Sequence, residues 1–188
     1  MLAMTWRRTA VAAFALIAIA AAIELAMGRH PICTCGTIEL WVGARDSPKT
    51  SQMLTDWYSL SHIVHGLLFY AILRLLFRRA SVPARFLGAL LIEAAWEVAE
   101  NTPFVIDRYR ETTAALGYSG DSVINSVSDM LMMCIGFFAA RRLSVWAAVA
   151  LVLVLELVPL IAIRDDLTLN IVNLIAPTAA IAAWQARG

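Results

Sequence analysis

Three carboxylates stand in one apolar segment, LIEAAWEVAEN at residues 91–101, and their spacing suits them to joint chemistry. In a helix, Glu93, Glu97 and Glu100 lie within roughly 60° of one another and span about 10 Å of the axis. Ionisable groups inside a bilayer are costly, so they normally face a partner, a cavity or an ion. The segment therefore predicts a polar site whose other members lie on neighbouring helices.

Two histidines and two aspartates are the main candidates for those members. His62 and His65 are three residues apart and Asp121 and Asp129 are eight apart, so each pair lies on one helix face. Imidazole and carboxylate together suit zinc, iron or manganese. As a hypothesis, we assign the metal ligands as His62, His65, Glu97 and Asp121, and the catalytic base or supporting groups as Glu93, Glu100 and Asp129. A metal-free catalytic or proton-carrying site and a purely structural hydrogen-bonded network are the alternatives.

Two further pairs lie outside the apolar segments. Arg108 and Arg110 have the charge to bind a phosphate or carboxylate headgroup, and a solvated loop that pairs with itself is the alternative. Cys33 and Cys35 stand as Cys-Thr-Cys-Gly in a long polar loop. In an oxidising compartment they form a structural disulfide, a redox-active pair or, together with His30, a metal-handling element.

The composition is that of a polytopic membrane protein. Of the 188 residues, 61% are hydrophobic and 15% are charged, and the mean hydropathy is +0.73. These values lie outside the range of ordinary soluble domains. The net charge of +1 and the lack of a glycine-rich phosphate loop in the sequence argue against nucleic-acid and nucleotide binding.

The apolar runs predict an all-α fold: one integral membrane domain, residues 1–188, built as a bundle of six transmembrane helices. The helices cover residues 9–27, 59–77, 85–106, 122–140, 143–163 and 167–184, and a polar loop takes residues 28–58. Each run can cross roughly 30 Å of hydrocarbon. The last run is the weakest because Asn170, Asn173 and Pro177 interrupt it, and a re-entrant or interfacial segment is the alternative.

Arginines set the predicted orientation. Two short loops contain Arg78-Arg79 and Arg141-Arg142, and the positive-inside rule places them on the cytoplasmic side together with both termini. The loop at residues 28–58 is then periplasmic. In this orientation every candidate histidine and carboxylate lies in the outer half of the bundle. Trp96, at mid-membrane depth, is expected to form a wall of their cavity.

Several longer motifs carry a family resemblance. They are PICTCG at 31–36, DWYS at 56–59, ENTP at 100–103, IDRYR at 106–110 and NSVSD at 125–129. With these motifs the chain closely resembles a family of small inner-membrane proteins from alphaproteobacteria, catalogued only as a domain of unknown function. The resemblance implies a multi-pass protein of the bacterial inner membrane and supplies no activity, substrate or site residue.

The favoured functional hypothesis is a periplasm-facing site, with a divalent transition metal as candidate cofactor, that binds or acts on a lipid or envelope headgroup. Whether the protein is an enzyme is left open. A small proton-coupled transporter and a non-catalytic assembly or accessory subunit are the alternatives. Membrane lipids are the expected partners, and the sequence identifies no protein partner.

Overall fold

A computed structural model of the chain describes residues 5–113 and 117–186. These residues form eight helices and no β-strand, which confirms the predicted all-α class. The helices are α1 Trp6–Ala26, α2 Ser59–Leu76, α3 Val82–Glu100, α4 Pro103–Thr112, α5 Val123–Arg142, α6 Val145–Ile163, α7 Leu167–Ile175 and α8 Ala179–Gln185. Four of them, α1, α2, α5 and α6, are long and apolar enough to cross a membrane. The structure therefore indicates a membrane protein.

The long helices pack as a bundle that contains both antiparallel and parallel neighbours. His62 lies beside Glu97 and His65 beside Glu93, so α2 and α3 run antiparallel. His62 also lies near Asp129, and Gly66 further along α2 meets Met133, so α2 and α5 run parallel. One end of the bundle, which we call the polar end, thus collects the start of α2, the end of α3 and the start of α5.

The rest of the bundle is an apolar core. Its buried residues come from α1, α2, α3 and α5 and include Tyr70, Leu73, Phe86, Leu90, Met130, Met133 and Phe137. At the crossing of α2 and α5 the backbones touch. A Cβ added to Gly66 would lie 2.1 Å from the Met133 carbonyl oxygen, and one added to Gly136 would lie 2.0 Å from the Ile63 carbonyl oxygen. Small residues permit such close crossings between membrane helices.

Helix α3 ends at Glu100, whereas the sequence predicted a helix over residues 85–106 followed by a loop at 107–121. Asn101 ends the helix and turns its side-chain amide back to the carbonyl of Glu97, 3.1 Å away. Pro103 has no N–H to continue the ladder and begins α4, with the Thr102 side chain as its N-cap. The first six residues of the predicted loop, 107–112, are therefore helical.

The predicted sixth membrane helix, residues 167–184, is replaced by the two short helices α7 and α8. The carbonyl of Trp184 accepts a hydrogen bond from Arg164, and that of Gln185 accepts one from Arg45, so α8 ends beside the end of α6. The segment leaves the polar end and returns to it, as the re-entrant alternative describes. Pro177 removes a backbone donor at the break between the helices. Six spans and two cytoplasmic termini are therefore not confirmed.

The long loop, residues 28–58, folds over the start of α5. The backbone N–H groups of Val123 and Ile124 donate to the carbonyls of His30 and Pro31, at 2.9 and 3.2 Å. The Asn125 side chain donates to the carbonyl of Met53 at 2.9 Å. These bonds satisfy donors that a helix start leaves free. They also close off the α5 N-terminus, so it is not open to an anion.

Candidate functional site

Two histidines and one glutamate form the first group of the site. The Nδ1 atom of His62 lies 2.6 Å from Oε1 of Glu93, and that of His65 lies 3.1 Å from Oε2 of the same carboxylate. Glu93 and His62 are buried, and His65 is partly exposed. One potential ligand atom from each of the three lies within 4.8 Å of the others. Glu93, assigned from the sequence as a base, thus lies with the histidines.

Three carboxylates form the second group. Glu97, Glu100 and Asp121 each present an oxygen within 4.8 Å of the other two. Asp121 is held in a reciprocal pair with Asn101: its N–H donates to the amide oxygen at 2.7 Å, and its Oδ2 accepts from the amide nitrogen at 2.9 Å. The structure therefore places Glu97 and Asp121, two of the predicted metal ligands, in a group with Glu100. This group does not include the other two predicted ligands, His62 and His65.

The two groups adjoin through His62. Its Nδ1 is 3.3 Å from Oε1 of Glu97, and its Nε2 is 3.8 Å from Oδ2 of Asp129. Asp129 also accepts a hydrogen bond from the Ser59 hydroxyl at 2.7 Å. All seven side chains predicted as ligands or bases therefore converge at the polar end.

Gly120 allows Asp121 to enter the site. Its φ of +88° is in the left-handed region, and an added Cβ would lie 2.0 Å from Nη1 of Arg29 and 3.0 Å from Oδ1 of Asn101. The Ser122 side chain then caps α5 by accepting from the N–H of Asn125. A glycine turn and an N-cap therefore lead directly into α5.

Burial sets the protonation of the groups around the mouth of the site. It raises the pKa of Asp121 to about 6, against the opposing hydrogen bonds from Tyr118 and Asn101. Burial, and next the neighbouring carboxylates, also hold the pKa values of Tyr58, Tyr109 and Tyr118 well above the usual range. These three phenols stay protonated and serve as hydrogen-bond donors.

A small cavity of about 50 Å³ opens between the groups. It is lined by His62, His65, Glu100, Asp121 and Asp129 together with Trp96, as predicted, three tyrosines (Tyr58, Tyr109 and Tyr118) and, on α7, Leu167 and Asn170. A second cavity of about 700 Å³ lies beside it, bordered by the long loop, α4 and α8. Ser51, Tyr58 and Tyr118 line both cavities. The inner cavity has room for a few waters or a hydrated ion, and the outer one for an organic group.

The arginines predicted as headgroup contacts are engaged within the chain. Both Nε and Nη2 of Arg108 donate to the carbonyl of Leu174 near the end of α7, at 3.0 and 2.9 Å. Arg110 donates to the carbonyl of Tyr118 at 2.5 Å and lies near Asp107. Neither arginine is among the lining residues of the two cavities. A headgroup role for them stays a prediction.

The cysteine pair lies apart from the carboxylates. Cys33 and Cys35 form a disulfide, and Cys33 packs with Val42 and Met53 within the long loop. This loop reaches the site by another residue, Asp56, which is buried and accepts from the N–H groups of Ser51 and Tyr58.

Sequence reasoning missed the tyrosines and Asn170 as cavity residues. In the sequence, Asn170 is interpreted only as an interruption of the predicted sixth span. A polar residue in an apolar helix is the signal that marks Asn170, because such residues face a cavity or a partner.

Three protein ligands beside an open cavity are the arrangement of a catalytic metal site. Such sites keep one position for water or substrate, whereas structural zinc sites are closed by four protein ligands. The first group supplies two imidazoles and a carboxylate, and Asp129 lines the same cavity, where it can accept a proton from a water bound there. The arrangement is able to activate a water molecule.

Comparison with known proteins places the chain in a family. Residues 24–187 match the model described as "Protein of unknown function (DUF2585)". The chain is similar to a UPF0314 protein of Sphingopyxis alaskensis, 52% identical over 176 residues that cover 94% of each chain. It is also similar to UPF0314 proteins of Rhizobium johnstonii and Paracoccus denitrificans. These are 50% and 49% identical over 175 residues each, which cover 93% of this chain and 90% and 91% of theirs.

No solved structure matches the chain. The family model covers most of the sequence, and each of these relatives is matched over nine-tenths or more of its length. The predicted resemblance to an alphaproteobacterial family of unknown function is therefore confirmed, and the chain belongs to the DUF2585 family of UPF0314 proteins.

Proposed function

We propose that the protein is a metal-dependent protein of the bacterial inner membrane whose site, at the periplasmic end of the bundle, acts on the polar headgroup of a membrane lipid or envelope precursor. The observation that carries the proposal is the convergence of His62, His65 and Glu93 on one point beside an open cavity. Zinc, iron and manganese all accept this ligand set.

Metal binding at this point replaces protons. In the structure both Nδ1 atoms contact the Glu93 carboxylate, so each N–H that donates there must lose its hydrogen before the nitrogen can bind a metal. The affinity should therefore rise with pH. A bound metal would activate water or polarise a phosphoryl oxygen, and Asp129 would accept the proton.

The two cavities support a headgroup as the substrate. The inner cavity is too small for an acyl chain, while the outer cavity has the volume of a small organic ligand and is lined by hydroxyl, amide and charged side chains. A lipid in the outer leaflet could thus place its headgroup in the outer cavity and a single phosphoryl or ester group in the inner one.

The proposed topology has five crossings and one re-entrant hairpin. The crossings are α1, α2, α3, α5 and α6, and α7 and α8 form the hairpin. Arg7, Arg8 and the pairs Arg78-Arg79 and Arg141-Arg142 lie at the end opposite the site, so the positive-inside rule makes that end cytoplasmic. The amino terminus is then cytoplasmic, and the described end of the chain, at α8, is periplasmic.

A proton-coupled transporter is less well supported. It needs polar groups that continue from the site to the cytoplasmic end, whereas the apolar core packs against the inner side of the site. Leu73, Phe86 and Phe137 are buried there.

Zinc retention by the purified protein tests the metal. Full-length protein in detergent is stripped with EDTA, incubated with ZnCl₂, passed through gel filtration and analysed by mass spectrometry for zinc. We expect one zinc per wild-type chain, and loss of zinc affinity by more than about 100-fold in His65→Ala and Glu93→Gln. His30→Ala is the matched control, because its side chain is exposed and its backbone carbonyl makes the contact to α5. Wild-type protein without zinc, or His65→Ala with as much zinc as wild type, would refute the site.

Lipid turnover is a separate measurement. Zinc-loaded protein is reconstituted in vesicles of bacterial total lipid, and the lipids are followed by mass spectrometry. We expect headgroup release or transfer with wild type and His30→Ala and none with His65→Ala. Zinc binding with unchanged lipids would reject headgroup turnover and leave the metal site standing.

A further inference from the structure

We infer that Glu97, Glu100 and Asp121 form a second cation site, distinct from the histidine group and selective for a hard divalent ion such as Mg²⁺ or Mn²⁺. The inference goes beyond the proposed function, because this site does not require zinc at the histidines. It begins from geometry: an oxygen from each of the three carboxylates lies within 4.8 Å of the other two, close enough for one ion to contact all three.

The charge around these carboxylates is unbalanced. Six carboxylates lie in or beside the two groups, and among the described residues the two histidines are the basic groups that pair with three of them, Glu93, Glu97 and Asp129. The six are Asp56, Glu93, Glu97, Glu100, Asp121 and Asp129. Within residues 5–113 and 117–186, no lysine or arginine comes within 4.0 Å of any of them. Buried charges without partners cost several kcal/mol each, so a bound cation stabilises this arrangement.

An unpartnered oxygen independently points to a ligand. Glu97 is 1% exposed, and its Oε1 accepts no hydrogen bond from the described residues. The Nδ1 atom of His62 lies 3.3 Å from this oxygen. The same Nδ1 is closer to Oε1 of Glu93, at 2.6 Å, so the N–H of His62 is directed at Glu93. A buried acceptor normally has a donor. Because Oε1 of Glu97 has none among the described residues, its lone pair is free for an ion.

A second such oxygen belongs to a residue in the wall of the inner cavity, beside Glu100 and Asp121. Asn170 on α7 is 6% exposed and lines the inner cavity, and its Oδ1 also has no partner in the described part of the chain. Its amide nitrogen donates to the carbonyl of Asp166 at 3.1 Å, which fixes the side chain. Amide oxygens are ordinary ligands of hard cations.

The ligand chemistry separates this site from the histidine group. Glu97, Glu100 and Asp121 offer oxygen alone, which suits Mg²⁺, Mn²⁺ or Ca²⁺, whereas imidazole favours zinc. The cavity of about 50 Å³ leaves room for the waters that Mg²⁺ and Mn²⁺ retain. Because His62 contacts Glu93 and lies 3.3 Å from Glu97, it stands between the two sites.

Manganese binding to the full-length protein tests the inference. EDTA-stripped protein in detergent receives one equivalent of ZnCl₂ and is then titrated with MnCl₂, with free Mn²⁺ followed by electron paramagnetic resonance. We expect one Mn²⁺ per wild-type chain. Glu100→Gln and Asp121→Asn should weaken Mn²⁺ binding at least tenfold and retain zinc. Asp107→Asn, which changes an exposed carboxylate on α4, is the matched control and should bind both ions as wild type does.

The outcomes separate the two proposals. Zinc binding without Mn²⁺ binding refutes the second site and leaves the first. Mn²⁺ binding that Glu100→Gln and Asp121→Asn do not weaken also refutes it. Loss of zinc with retained Mn²⁺ in His65→Ala supports two separate sites, and thermal unfolding of each variant checks that it is folded.

Discussion

Replacement of Gly66 by alanine should separate α2 from α5. The new Cβ would lie 2.1 Å from the Met133 carbonyl oxygen and 2.5 Å from the backbone nitrogen of Phe137. An ordinary contact needs at least 3.4 Å, so the helices must move apart by more than an ångström. Neither obstacle is a flexible side chain, so we take the upper end of the overpacking range, about 3 kcal/mol.

Alanine also favours the helix over glycine by about 1 kcal/mol, which leaves a net loss near 2 kcal/mol. For a chain of this length each kcal/mol shifts the Tm by roughly 2–4 °C, so Gly66→Ala should unfold about 4–8 °C lower than wild type. The assay is thermal unfolding of the detergent-purified protein, followed by circular dichroism at 222 nm.

Gly88→Ala is the matched control within the same bundle. A Cβ there would meet Leu73 at 3.7 Å, which is an ordinary contact. This variant should gain helix propensity and keep or raise the Tm. If Gly66→Ala unfolds within a degree of Gly88→Ala, the backbones do not touch at Gly66, and the close crossing of α2 and α5 is wrong.

Other expectations concern the ends of the chain and the buried acids. Burial raises the pKa of Asp165 from 3.8 to about 6, so the folded state holds this proton more tightly and stability falls as pH rises from about 4 to 6. Over that window the free energy of unfolding should fall by about 3 kcal/mol in wild type. This fall should be absent in Asp165→Asn and present in the exposed control Asp46→Asn. Thermal unfolding of each variant beside wild type measures it. Glu24 is fully buried and neither of its oxygens has a partner among the described residues. Glu24→Gln should therefore leave the Tm within a few degrees of wild type, and Glu24→Lys should prevent folding, judged by gel filtration. A reporter enzyme that is fused after α8 should be located in the periplasm and be active there. Activity in the cytoplasm would restore the sixth span and overturn the re-entrant hairpin.

The sequence was sufficient to locate the site because its signals are periodic. Glu93, Glu97 and Glu100 repeat with the helical period, and basic loops assign each helix a direction, so the depth of every buried charge follows. For this reason the sequence alone predicts Glu100, Asp121 and Asp129 in the same half of the bundle as His62.

The pairing within the site depends on contacts that no single segment encodes. Whether His62 meets Glu93 or Glu97 depends on how far α3 is rotated against α2, and the glycine crossing of α2 and α5 helps to set that packing. Arg108 has the sequence context of a surface arginine, yet the end of α7 supplies a carbonyl, that of Leu174, that binds it. The sixth span is not confirmed for a related reason, since Asn170 and Asn173 need polar surroundings that a membrane crossing does not provide.

The hairpin of α7 and α8 also has a consequence for the order in which the site is made. Asn170 forms part of the wall of the inner cavity, and Gln185 part of the wall of the outer one, so both walls are completed only after α6 has been translated. Ribosomes add roughly 5–20 residues per second, so α1 to α6 are made a second or more before these walls are complete. The nascent bundle thus passes through a stage in which its carboxylates face an unfinished, open cleft. Metal ions would therefore have direct access to these carboxylates already at that stage.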